Sequence, residues 1–154
     1  MTELKDKQFN RFHISAKDMY ECLSYIAQIE KNDFITVKRG MLTASIISYA
    51  RPFSNNRTHE RALATPAVSV KKLCGEELFE LHERLLLIRN KAVAHSDFEW
   101  NAAFLVKPTQ NGFITSGLFF DPIEENIELE KFEKLANTLH NYFRDQLREI
   151  AGKL

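Results

Sequence analysis

Residues 76–97 read Glu-Glu-Leu-Phe-Glu-Leu-His-Glu-Arg-Leu-Leu-Leu-Ile-Arg-Asn-Lys-Ala-Val-Ala-His-Ser-Asp. Within this stretch Leu78, Leu81, Leu85, Ile88 and Ala92 recur at spacings of three and four, the seven-residue apolar repeat of a helix. Glu76 and Glu77 stand at its start, where the helix dipole favours acids. The spacing predicts a helix from Glu76 to about His95. His95 continues the apolar stripe, so it faces a bundle or a partner rather than open solvent.

Helical patterning extends to both sides. Ser15, with Asp18 three residues on, resembles a capping box. It predicts a helix to about Lys31 with Met19, Leu23, Ile26 and Ile29 on one side. A second helix is expected from near Asp33 to about Tyr49, ended by Pro52 because proline disfavours helical geometry in the residue before it. Residues 53–75 are loop-rich, with a short helix around Thr58–Leu63. Residues 102–120 change character and read as a β-hairpin turning at Asn111-Gly112. The last helix is expected from about Ile127 to Ala151, with Leu129, Phe132, Leu135, Leu139, Tyr142, Phe143 and Leu147 as its apolar face and Gly152 as its stop. The expected fold class is mainly α. It is a four-helix-type bundle with a β-hairpin insert between the third and last long helices, one domain over residues 1–154.

Composition limits the function classes. The chain is 44% apolar and 27% charged, which suits one globular domain and excludes disorder. Formal net charge is zero, so no global basic signal points to nucleic acid. Charge is nevertheless uneven: residues 38–95 hold ten Lys/Arg against five Asp/Glu, and residues 96–154 hold six against ten. Cys22 and Cys74 are the only cysteines and form neither a CxxC pair nor a metal cluster, a usage that fits a reducing compartment. Met1–Lys7 has no apolar core of a secretory signal, and Met41–Ala50 is too short to span a bilayer. The expectation is a cytoplasmic protein with no membrane partner. No metal and no cofactor are expected. His82-Glu83 lacks the HExxH spacing, His13, His59 and His140 are scattered, and neither a Gly-rich phosphate loop nor a GxSxG elbow occurs.

The chemistry-bearing residues cluster at the end of the third long helix. Arg89 offers a permanently charged fork for phosphate, and His95 titrates near neutral pH and moves protons. On an ideal helix the two are about 120° apart in azimuth and about 9 Å apart in rise. They do not converge within one chain unless the helix end bends. Two copies around a two-fold axis would bring both pairs to one cleft.

Arg89, the polar Asn90 and His95 near the end of the third long helix of a bundle resemble the hallmark of the HEPN superfamily. The longer string Arg-Asn-Lys-Ala-Val-Ala-His-Ser-Asp looks like its branch among abortive-infection proteins of phage defence, and the layout is similar from about residue 15 to 150. The resemblance implies a homodimeric, metal-independent endoribonuclease that acts in defence or as a toxin, with a separate antitoxin or defence partner. RNA carries its own nucleophile, the 2′-hydroxyl. His95 would act as general base or acid, Arg89 would stabilise charge on phosphorus, and Asn90 would orient the phosphate or the imidazole. Lys91 and Asp97 are the weaker substrate-binding candidates, one for the RNA backbone and one for the His95 tautomer. The rival readings are a non-catalytic HEPN-like module that binds RNA or protein, and a structural helical domain. In those readings His95 is a helix-end residue and Arg89 a surface ion-pair partner of Glu83 or Glu99.

Overall fold

The computed structural model describes residues 3–54, 68–90, 103–109, 112–117 and 120–152. The architecture is mainly helical. Helix α1 spans Glu3–Ile29, α2 Ile35–Ala50, the short α3 Val70–Cys74, α4 Glu76–Ile88 and α5 Leu129–Ala151. Helix α1 packs on α2 and on α5, and α4 packs on the same two, so the four long helices close a ring.

Ring closure follows from apolar stripes of matching period. Leu78, Leu85 and Ile88 of α4 are buried, as the repeat predicts, and Leu81 is half-buried. Phe132, Leu135, Leu139 and Phe143 of α5 are buried on the expected face, with Leu129, Tyr142 and Leu147 half-buried beside them. Met19, Ile26 and Ile29 of α1 and Ile46 and Tyr49 of α2 complete the core.

Helix α1 begins twelve residues before the expected start at Ser15. Ser15 and Asp18 are not a cap: both are buried mid-helix, and Asp18 is bridged by Arg51 at 3.3 Å. The charged residues before Ser15 are good helix formers, and Phe12 gives this part of the helix a tertiary anchor. Its ring meets Tyr142 edge-on at 6.5 Å and lies 6.2 Å from Phe143.

Helix α2 ends where proline is expected to end it. Arg51–Phe53 forms a 3-10 turn with Pro52 buried in it. The short helix expected around Thr58–Leu63 lies outside the described residues. Gly75 joins α3 to α4 at a φ of +82°, a left-handed position that glycine adopts without strain. Beyond α4, strand β1 (Ala103–Thr109) pairs antiparallel with β2 (Gly112–Gly117), with a register shift between Leu105 and Lys107. Two contacts fix the return to the bundle. Arg39 bridges Asp121 at 2.5 Å, and Arg84 donates to the Glu125 backbone carbonyl and to its carboxylate. Among the described residues no helix is long and apolar enough to cross a membrane.

Candidate functional site

The stretch of the expected helix from Lys91 to His95 lies outside the described residues. The α-helical part of α4 stops at Ile88, and the chain passes into wider π-helical hydrogen bonding at Arg89 and Asn90. π turns are rare and recur at functional sites. Arg89 is half-buried and donates from Nη1 to the Asn90 side-chain oxygen at 2.8 Å, so two expected site residues form one unit on the last turn. Among the ion pairs of the described residues none joins Arg89 to Glu83. His95, Lys91, Asp97 and Glu99 lie outside the described residues.

Arg89 opens onto a pocket of about 240 Å³ that it lines together with Arg11, Ile14, Asp18, Arg51 and Ser54. Three elements build it. Arg11, Ile14 and Asp18 fall at i, i+3 and i+7 on α1, hence on one face. Arg51 and Ser54 come from the 3-10 turn that Pro52 imposes. Arg89 comes from the end of α4.

The hydrogen bonding in the pocket is uneven. Arg51 Nη1 contacts Asp18 at 3.3 Å and Glu21 at 2.9 Å. Arg11 Nη2 donates to the Pro52 carbonyl at 2.6 Å. Its Nε is buried with no hydrogen-bond partner among the described residues. Burial pushes the Asp18 carboxyl above its ordinary value, although hydrogen bonding and charge from Arg51 oppose that. Arg11 is shifted down by burial, against the pull of Asp18.

Sequence reasoning misses Arg11 and Arg51. They lie forty residues apart and belong to no motif; only the packing of α1 on the turn after α2 brings them to Arg89. The one trace in the sequence is the adjacency of Arg51 to the helix-ending Pro52.

Sequence reasoning also misses His82 as a buried group. It sits on α4 inside an aromatic nest, with Phe53 at 4.7 Å and Tyr49 and Phe79 each at 5.9 Å between ring centroids. The Tyr49 hydroxyl and His82 Nδ1 share a hydrogen bond of 2.7 Å. Burial lowers the His82 pKa from 6.5 to about 4. The fold thus holds neutral imidazole, and His82 is a core strut between α2 and α4 rather than a proton carrier at neutral pH.

A stability prediction follows from this shift. Between pH 6.5 and about 4 the unfolded chain binds the His82 proton and the folded chain does not. Stability is therefore complete above pH 6.5 and falls as pH drops through the window, by up to about 3 kcal/mol. His140, lowered mainly by burial, adds to the same slope. The readout is accordingly the difference between wild type and His82→Gln in urea midpoints across this range, with the variant expected to be flatter. Parallel curves would refute the shift.

A second pocket, of about 230 Å³, lies between α4 and α5. In it Lys131 bridges Glu77 at 2.8 Å and Glu128 at 2.9 Å, and Arg84 bridges Glu125. Among the described residues no group of His, Cys, Asp or Glu could hold a metal ion. The Cys22 thiol is buried and pushed well above its ordinary value by that burial, which makes it a core residue rather than a nucleophile. The Arg89 pocket is a concave surface where one expected site residue, Arg89, meets two further arginines. No family model, no curated protein and no solved structure matches the chain.

Proposed function

We propose that the protein is a metal-independent endoribonuclease of the HEPN type, built on a helical bundle with a β-hairpin between its third and last long helices. Arg89, Asn90 and His95 from two protomers form a composite site. Arg89 stabilises negative charge developing on phosphorus, Asn90 orients the Arg89 guanidinium, and His95 transfers the proton to or from oxygen. Lys91 holds the RNA backbone, and Asp97 fixes the His95 tautomer. The biological setting that fits is phage defence or a toxin held in check by a separate protein.

The observation that carries this reading is the pairing of Arg89 with Asn90 at 2.8 Å on a π turn that opens into a pocket. A guanidinium tied to a neutral amide keeps its full charge for a phosphate, whereas one tied to a carboxylate does not. The bundle ring supports the family layout, and the position of the pair at the end of the third long helix supports the motif assignment. The test is incubation of the protein with a mixed RNA pool under EDTA, followed by end-group analysis. Products ending in 2′,3′-cyclic phosphate are expected, since the 2′-hydroxyl is the nucleophile. Intact RNA across diverse pools would end the enzyme reading.

A homodimer is the second expectation. Leu87, two residues before Arg89, is 45% exposed, and Ile14 on the pocket wall is 50% exposed. Both supply apolar area beside the site for a second copy. Light scattering at micromolar concentration should return twice the 17.9 kDa chain mass. A monomer would remove the composite site.

A further inference from the structure

We infer that Arg11 and Arg51, with Arg89, form a subsite for a phosphodiester of single-stranded RNA beside the scissile bond. The polymer identity rests on the proposed function; the phosphate chemistry rests on the pocket alone.

The charge balance favours an anion. Three arginines line the pocket against one carboxylate, Asp18. Glu21 reaches Arg51 from outside the lining. Against the three guanidiniums these two carboxylates leave one positive charge in excess, with Asp18 acting on Arg11 as well as on Arg51, while Arg11 donates to a backbone carbonyl and Arg89 to an amide oxygen. Both of those acceptors are neutral, so positive charge remains in the pocket. Guanidinium forks match the spacing of phosphate oxygens and hold them bidentately.

Size limits the occupant. At about 240 Å³ the pocket is smaller than the roughly 300–1,000 Å³ typical of small-molecule sites. It accommodates a phosphate with part of its sugar, not a whole nucleotide bound on its own.

The probe is a short fluorescein-labelled 2′-O-methyl oligoribonucleotide, which has no 2′-hydroxyl nucleophile and so reports binding without cleavage. Anisotropy titrations are run across a salt series with wild type, Arg11→Gln, Arg51→Gln and Asp18→Asn, each checked for helical content. Removing one arginine–phosphate interaction should flatten the slope of log K against log salt by about 0.7. Arg11→Gln and Arg51→Gln should each bind several-fold more weakly with a flatter slope. Asp18→Asn removes the opposing charge and keeps all three arginines, so it should bind more tightly. Unchanged affinity and slope in folded Arg11→Gln and Arg51→Gln overturn the subsite. If either fails to fold, Asp18→Asn decides, and affinity equal to or below wild type overturns it.

Inorganic phosphate is the second arm. It should compete with the oligonucleotide only at far higher concentration. Arginine-dependent thermal stabilisation by inorganic phosphate without oligonucleotide binding would mark a small-anion site and refute the polymer. Arginine-dependent binding without cleavage of ordinary RNA would sink the nuclease reading and leave the subsite standing. Cleavage with Arg11 and Arg51 dispensable for binding would do the reverse.

Discussion

His95→Ala is expected to lower RNA cleavage by about 10²–10⁴-fold, the usual contribution of a positioned proton-transfer group. The variant should keep its helical content and its oligomeric mass, because the bundle core is built from the apolar stripes of α1, α2, α4 and α5. Arg89→Ala should show a loss of similar size. It removes a guanidinium at the end of α4 that donates to a neutral amide and so keeps its charge for phosphate. Arg89→Lys should rescue little, since an ammonium is a point charge without the fork that spans two phosphate oxygens. EDTA should leave wild-type cleavage intact. Quenched time courses on one labelled RNA, with wild type and the three variants at matched concentration, measure all of this. Cleavage at the wild-type rate in His95→Ala would refute the mechanism.

Phe132→Ala should destabilise the fold by about 3–5 kcal/mol. Phe132 is fully buried on α5 and meets the Tyr49 ring edge-on at 5.4 Å. Tyr49 in turn holds His82 through its hydroxyl. Removing the Phe132 ring leaves a cavity where α2, α4 and α5 meet, and it loosens the wall against which the Tyr49–His82 pair is packed. Aromatic pairs contribute about 0.5–1.5 kcal/mol beyond the area they bury. Urea denaturation at neutral pH provides the check. A midpoint shift equivalent to under about 1 kcal/mol would mean that the site collapses around the deletion, as compliant sites do.

The helices are legible in the sequence where apolar period and length agree. The α5 face and the α4 stripe follow from the order of Leu, Ile and Phe alone, because a regular seven-residue repeat has one helical solution. The start of α1 is not legible. Ser15 and Asp18 carry the composition of a cap, and nothing local distinguishes a cap from a buried serine followed by an aspartate that pairs with Arg51. Tertiary pairing overrides the local signal. The stripe of α4 is followed as far as Ile88, and the Arg89 N–H still donates to the Leu85 carbonyl; Ala92 and His95, which prolong the stripe in the sequence, lie outside the described residues.

For the site, Arg89 and Asn90 are recognisable together from sequence, and they touch. Lys91, His95 and Asp97 lie outside the described residues. Arg11 and Arg51 carry no signal because their proximity is a product of packing. His82 offers no zinc spacing and no other local motif; its burial against Tyr49 and Phe53 depends on residues about thirty positions away.

The Arg39–Asp121 bridge has a consequence for how this chain can diversify. Arg39 holds Asp121 low in pKa and, with the Ile123 backbone N–H, fixes the point where the chain rejoins the bundle. Arg84 and Glu125 repeat the tether a few residues on. The excursion between Asn90 and Phe120 is therefore clamped at its return, while α4 sets its departure. Loop-closure entropy grows only logarithmically, and each doubling of length costs about 0.6 kcal/mol. A clamped excursion of this kind is a cassette. Outside the proposed site residues Lys91, His95 and Asp97, its length and sequence can drift, or be exchanged by an engineer, while the ring of helices and the three arginines lining the pocket stay as they are.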